Sequence, residues 1–97
     1  MGEEFSAERV DDLVLLVSEV VTNAVFHADT QIEVRVDVFE THVAVQVRDY
    51  SEAKPATMPE PGSHGGWGLR LLDQLALRWG VNDEEPGKTV WFEVASR

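Results

Sequence analysis

The sequence predicts a two-layer α/β (α+β) sandwich, with helices packed on one face of a mixed, mainly antiparallel sheet. Three observations lead there. Apolar residues recur at helical spacing from Val10 to Ala24, two later segments alternate apolar and polar residues one by one, and a helical period returns after a glycine-rich stretch. Strand pairs that alternate with helices in this order pack most simply as one sheet carrying one helical layer. At 97 residues, 43% of them hydrophobic, the chain reads as one folded domain, 1–97.

The first helix begins at Ser6, which suits an N-cap. Phe5 and Val10 fall at the two positions of a hydrophobic staple, and Glu8, Asp11 and Asp12 favour the positive end of the helix dipole. Val10, Leu13, Val14, Val17, Val20, Val21 and Ala24 then form an apolar face, and the helix is expected to end near Ala28. Residues 31–38 alternate Ile32, Val34, Val36 and Val38 against Glu33, Arg35 and Asp37. Residues 42–49 repeat the pattern with Val43, Val45 and Val47, so the two are expected to form an antiparallel hairpin. From 50 to 66 the pattern gives way to prolines and small residues, a loop longer than a compact domain usually keeps without a task. Residues 67–77 return to helical spacing. A short strand over 78–82, a turn over 83–87 and a final strand over 89–94 complete the chain.

Composition narrows the function. There are no cysteines, which excludes disulfides, thiolate metal sites and cysteine nucleophiles, and fits a reducing compartment. The longest apolar run, from Leu13 to Val17, is far too short to span a bilayer, and the acidic start does not resemble a secretory signal. A cytoplasmic location is expected. A net charge of −10 argues against unaided nucleic-acid binding. A polyanionic ligand would need a metal ion and backbone donors.

Three places carry candidate chemistry. Glu19, Asn23 and His27 recur at every fourth position, and since each such step turns a helix by roughly 40° they form one polar stripe beside the valines. A solvated helix edge would look the same. Alternatively, the Asn23 amide is a hard neutral ligand for magnesium, and a carboxylate one turn away can deprotonate a nucleophile. Asp49 ends the second strand, either starting a turn or offering an acceptor to an amino group such as that of adenine. His64-Gly65-Gly66-Trp67-Gly68-Leu69 leads into the second helix, either as a hinge or as a place where backbone amides and a helix N-terminus meet phosphate. It is neither a Walker loop nor a Rossmann fingerprint.

Taken in order, four stretches resemble the Bergerat-fold ATP-binding domain of the GHKL superfamily, which includes gyrase, histidine kinases and MutL. They are Leu15-Leu16-Val17-Ser18-Glu19-Val20-Val21-Thr22-Asn23-Ala24-Val25-Phe26-His27-Ala28, then Val47-Arg48-Asp49, Gly66-Trp67-Gly68-Leu69-Arg70-Leu71-Leu72 and Gly87-Lys88-Thr89-Val90-Trp91. Within that superfamily the chain looks most like the bacterial anti-sigma-factor serine/threonine kinases and their stand-alone ATP-binding relatives. The resemblance implies ATP and Mg2+ as cofactors, with Glu19 as the catalytic carboxylate and Asn23 as the magnesium ligand. It places His27 near the sugar-phosphate side, Asp49 on the adenine amino group, and Gly66, Gly68 and Leu69 on the phosphates through their backbone. Thr89 would close the adenine pocket, and residues 55–65 would be the lid.

Two departures accompany the match. Tyr50, Ser51 and Glu52 follow the aspartate where the family usually has glycine. The family fold also normally begins with a strand and a helix, whereas this chain starts at the motif helix. An open sheet edge or helix flank is therefore expected, and with it a protein partner or a homodimer. The implied function is an ATP-dependent serine/threonine kinase that phosphorylates a protein antagonist and binds a sigma factor. The alternative is a non-catalytic module whose partner binding ATP controls.

Overall fold

The computed structural model describes residues 6–28, 31–51 and 64–97. Helix α1 spans Ala7–Ala28, strand β1 Ile32–Val38, β2 His42–Asp49, helix α2 His64–Leu75, β3 Arg78–Asp83 and β4 Lys88–Ala95. The expected cap is in place: Ser6 Oγ accepts from Arg9 N at 3.2 Å, and Arg9 pairs with Asp12 on the same turn. Phe5, the other half of the expected staple, lies outside the described residues.

The four strands run in the order β1-β2-β4-β3, and every described pairing is antiparallel. The mixed sheet expected from the sequence is therefore antiparallel throughout its described part. β1 and β2 form the expected hairpin, closed by Phe39 N donating to His42 O at 2.8 Å. β3 and β4 form a second hairpin, whose turn is held by Glu84 N donating to Gly87 O at 2.9 Å. Gly87 has φ +92°, and a Cβ there would stand 1.9 Å from the Asp49 carbonyl oxygen, so only glycine fits this turn against the end of β2.

Both helices pack on one face of the sheet. Leu16 and Val20 of α1, Val43, Val45 and Val47 of β2, Leu72 of α2, and Phe92 and Val94 of β4 form the buried core. Burying a side chain such as Phe92 contributes about 1.5–3 kcal/mol. α2 differs from its expected bounds, starting at His64 rather than Trp67. Helical φ and ψ are open to glycine, so Gly65 and Gly66 join the first turn instead of preceding it. It also stops at Leu75 rather than Leu77, because Leu77 N donates to Glu93 O at 2.7 Å and draws the chain onto β4.

The helical layer covers the sheet unevenly. α1 lies over β2 and β4 and α2 against β3, while Val34, Val36 and Val38 of β1 stay exposed on that same face. So do Val10, Val14 and Val25 on one flank of α1. No helix among the described residues is long and apolar enough to cross a membrane.

Candidate nucleotide site

The direction of α1 decides which polar residues meet. Ser6 N donates to Ser96 O at 3.1 Å, so α1 starts where β4 ends and the two run in opposite directions. Asn23 then lies roughly 25 Å along the helix from Ser6. Lys88, at the start of β4, lies roughly 27 Å from Ser96. The sheet end that carries Lys88 and Asp49 is therefore the end that α1 brings Asn23 toward, with Glu19 one turn behind. Glu19 and Asn23 are both half-buried, at the border of the core stripe formed by Leu16 and Val20. His27 follows in the last turn of α1.

Asp49 is the buried charge of this region. It is the last residue of β2, on the helix-facing side with Val43, Val45 and Val47, and only 3% exposed. Its Oδ2 accepts from Lys88 Nζ at 2.8 Å, and its Oδ1 accepts from Ser51 N at 3.0 Å. A carboxylate taken out of water survives only with such partners. Ser51 N thereby closes a small turn on the aspartate.

Thr89 is elsewhere. The register pairs Asp49 with Lys88 and Arg48 with Thr89, so Thr89 shares the opposite face of the sheet with Arg48 and Asn82. Its hydroxyl donates to Glu84 Oε2 at 2.8 Å. The expectation that Thr89 closes a pocket around Asp49 is corrected by this register, in which a shift of one residue exchanges the two faces. Lys88 holds that position. The signal was legible in the sequence, because Val90, Phe92 and Val94 mark the even positions of β4 as core-facing and Lys88 continues their series.

On the outer face Arg48 Nη2 donates to Pro86 O at 3.2 Å, and its guanidinium lies 4.4 Å from the centre of the Tyr50 ring. Arg48 Nε is buried without a hydrogen-bond partner among the described residues. Tyr50 Oη donates to Glu33 Oε1 at 2.6 Å, and this bond raises the phenol above its ordinary pKa, with burial and the Glu33 charge adding to it.

Gly66 and Gly68 fall in the first two turns of α2, followed by Leu69. The leading amides of a helix have no intrahelical acceptor, and no acidic side chain in the first turn of α2 offsets its positive end. The lid expected over 55–65 lies outside the described residues up to 63, and its last two residues open α2. Among the described residues no group of three His, Cys, Asp or Glu side chains is placed to hold a metal. A magnesium ion on Asn23 would take its other oxygens from phosphate and water, as this ion commonly does. A buried acceptor, a neutral oxygen ligand and free helix amides fit a magnesium-nucleotide.

The family model for the histidine kinase-like ATPase domain matches residues 2–94. The chain belongs to that family. Its four-stranded sheet with helices on one face is the fold of the histidine kinase ATPase domain, within the GHKL superfamily. A similar solved structure is the blue-light activated histidine kinase of Erythrobacter litoralis EL346, with TM-score 0.74, 28% identity, and coverage of 93% of this chain and 31% of that one. A similar curated protein is the serine-protein kinase RsbW of Oceanobacillus iheyensis, 33% identical over 98 aligned positions. That alignment covers 82% of this chain but 62% of the kinase, so the chain spans less than two-thirds of its relative.

Proposed function

We propose that this domain binds ATP with magnesium and transfers the terminal phosphate to a serine or threonine of a protein antagonist, while also binding a sigma factor. The observation that carries the reading is Asp49, a buried carboxylate paired with Lys88 at the sheet end that α1 brings Asn23 toward. The similarity to a protein named as a serine-protein kinase supports the choice of acceptor.

In this reading Asp49 accepts a hydrogen bond from the adenine amino group. The Asn23 amide oxygen holds the magnesium ion, and the leading amides of α2, Gly66 among them, carry the charge of the terminal phosphate. Bound Mg2+-ATP supplies the phosphoryl group and a leaving ADP. Glu19 takes the proton of the substrate hydroxyl as that oxygen bonds to phosphorus and the bond to the bridging oxygen breaks. His27 lies beyond Asn23 on the same stripe, toward the sugar and phosphates.

The test is a phosphotransfer assay with a candidate protein antagonist, run beside calorimetry. Glu19→Ala should abolish transfer and leave nucleotide binding within a few-fold of wild type. A variant that transfers phosphate at the wild-type rate would sink the assignment of the base.

A second reading has its own observation. The uncovered valines of β1 and α1 offer an apolar surface to a partner. A non-catalytic module would use ATP to control such an interaction, and would show ATP-dependent partner binding with no transfer from either protein.

A further inference from the structure

The side chain set directly beside the buried carboxylate is a lysine. Lys88 stands opposite Asp49 in the β2–β4 register, with Nζ 2.8 Å from Oδ2. The lysine side chain is 26% exposed and the aspartate 3%, so the ammonium lies at the solvent side of the pair. Asp83 of β3 is the lysine's register partner across the other ladder, on the same face.

Hydrogen-bond capacity remains on both members of the pair. Among the described residues, Asp49 takes one of the three ammonium protons, and Lys88 and Ser51 occupy two of about four acceptor positions of the carboxylate. A donor and an acceptor are thus presented side by side from adjacent strands. Adenine offers the matching edge, an amino donor next to N1, a ring acceptor.

We propose that Lys88 is a specificity-determining residue that donates to adenine N1 while Asp49 accepts from the neighbouring amino group. This rests on the nucleotide reading above and extends it to the side chain that pairs with Asp49. The lysine serves two ends at once. It compensates a carboxylate that would be costly to bury alone, and it adds a charged donor where the expected threonine would have offered a neutral hydroxyl.

Two rival roles make different predictions. If Lys88 only neutralises Asp49, the ring nitrogen of the base is irrelevant to affinity. If Lys88 instead plugs the site, removing it strengthens nucleotide binding.

The experiment is calorimetric titration of the full chain with magnesium-ATP and with magnesium-1-deaza-ATP, whose N1 is replaced by a C–H. Wild type should bind the deaza analogue about ten- to a hundredfold more weakly, the range of a hydrogen bond from a charged donor. Lys88→Met should weaken ATP by a similar factor and bind the two nucleotides equally, while Lys88→Gln, which keeps a donor, should retain part of the discrimination. Equal binding of both nucleotides by wild type overturns the proposal without any variant. So does a Lys88→Met protein that binds ATP as tightly as wild type or more so. Failure of wild type to bind either nucleotide at millimolar concentration overturns the nucleotide reading itself, and this inference with it.

Discussion

β1 and β2 carry the same apolar repeat, lie side by side and are paired valine to valine. Val34 meets Val47, Val36 meets Val45 and Val38 meets Val43, all on the helix-facing side. Their fates differ completely. The β2 valines are 2%, 0% and 1% exposed in that order, and their β1 partners 47%, 50% and 69%. Nothing in the strands themselves explains this. Alternation fixes which face a side chain occupies, whereas burial depends on what lies above that face. α1 lies above β2 and β4 and α2 against β3, and among the described residues they leave Val34, Val36 and Val38 of β1 uncovered while Ile32 packs on the core.

The comparison breaks most sharply under a charge. Val45→Asp places an unpaired carboxylate in the core and should leave no cooperatively folded protein, whereas Val36→Asp, its neighbour across the ladder, should fold. Circular dichroism of the two variants decides it, and equal loss of structure would show that β1 is covered in solution. Truncation gives a finer scale. Val45→Ala should cost about 2 kcal/mol in denaturant unfolding and Val36→Ala about 0.5 kcal/mol, since a cavity forms only where neighbours close in on all sides. Costs within a few tenths of each other would remove the distinction.

What β1 lacks in apolar cover it partly recovers in polar attachment, through the bond from Tyr50 to Glu33. The phenol's pKa is raised from 10.0 in the folded state. An acid raised by folding contributes stability that is complete below the unfolded pKa and is lost as pH climbs through the folded value. Stability should therefore fall above pH 10 partly through this group, an effect small for an exposed pair. Glu33→Ala should bring the phenolate absorbance titration back toward the ordinary tyrosine range. An unmoved titration would mean that the bond is not kept in solution.

These contrasts also show where the sequence was legible. The bounds of β2 and the Ser6 cap follow from alternation and capping chemistry, which are local. The face on which each valine of β1 lies follows as well. Its exposure does not, because coverage is set by helices distant in sequence. The site divides in the same way. The strand-end position of Asp49 and the helix-face position of Asn23 follow from local pattern, whereas their proposed roles rest on the family resemblance. The resemblance of Gly87-Lys88-Thr89 to a family motif does not report which side chain faces Asp49, because the side of the sheet is set by the parity of Val90, Phe92 and Val94. The start of α2 was misplaced because glycine is compatible with both a loop and a first helical turn.

The contact between Ser6 N and Ser96 O has a consequence for architecture. The described chain enters and leaves at one corner of the sheet, at the far end from Asp49 and Lys88. A domain with adjacent entry and exit points can be spliced into another polypeptide as a cassette, since the host chain need only detour by a few ångströms. The sheet end that carries Asp49 and Lys88 would stay clear of the seam.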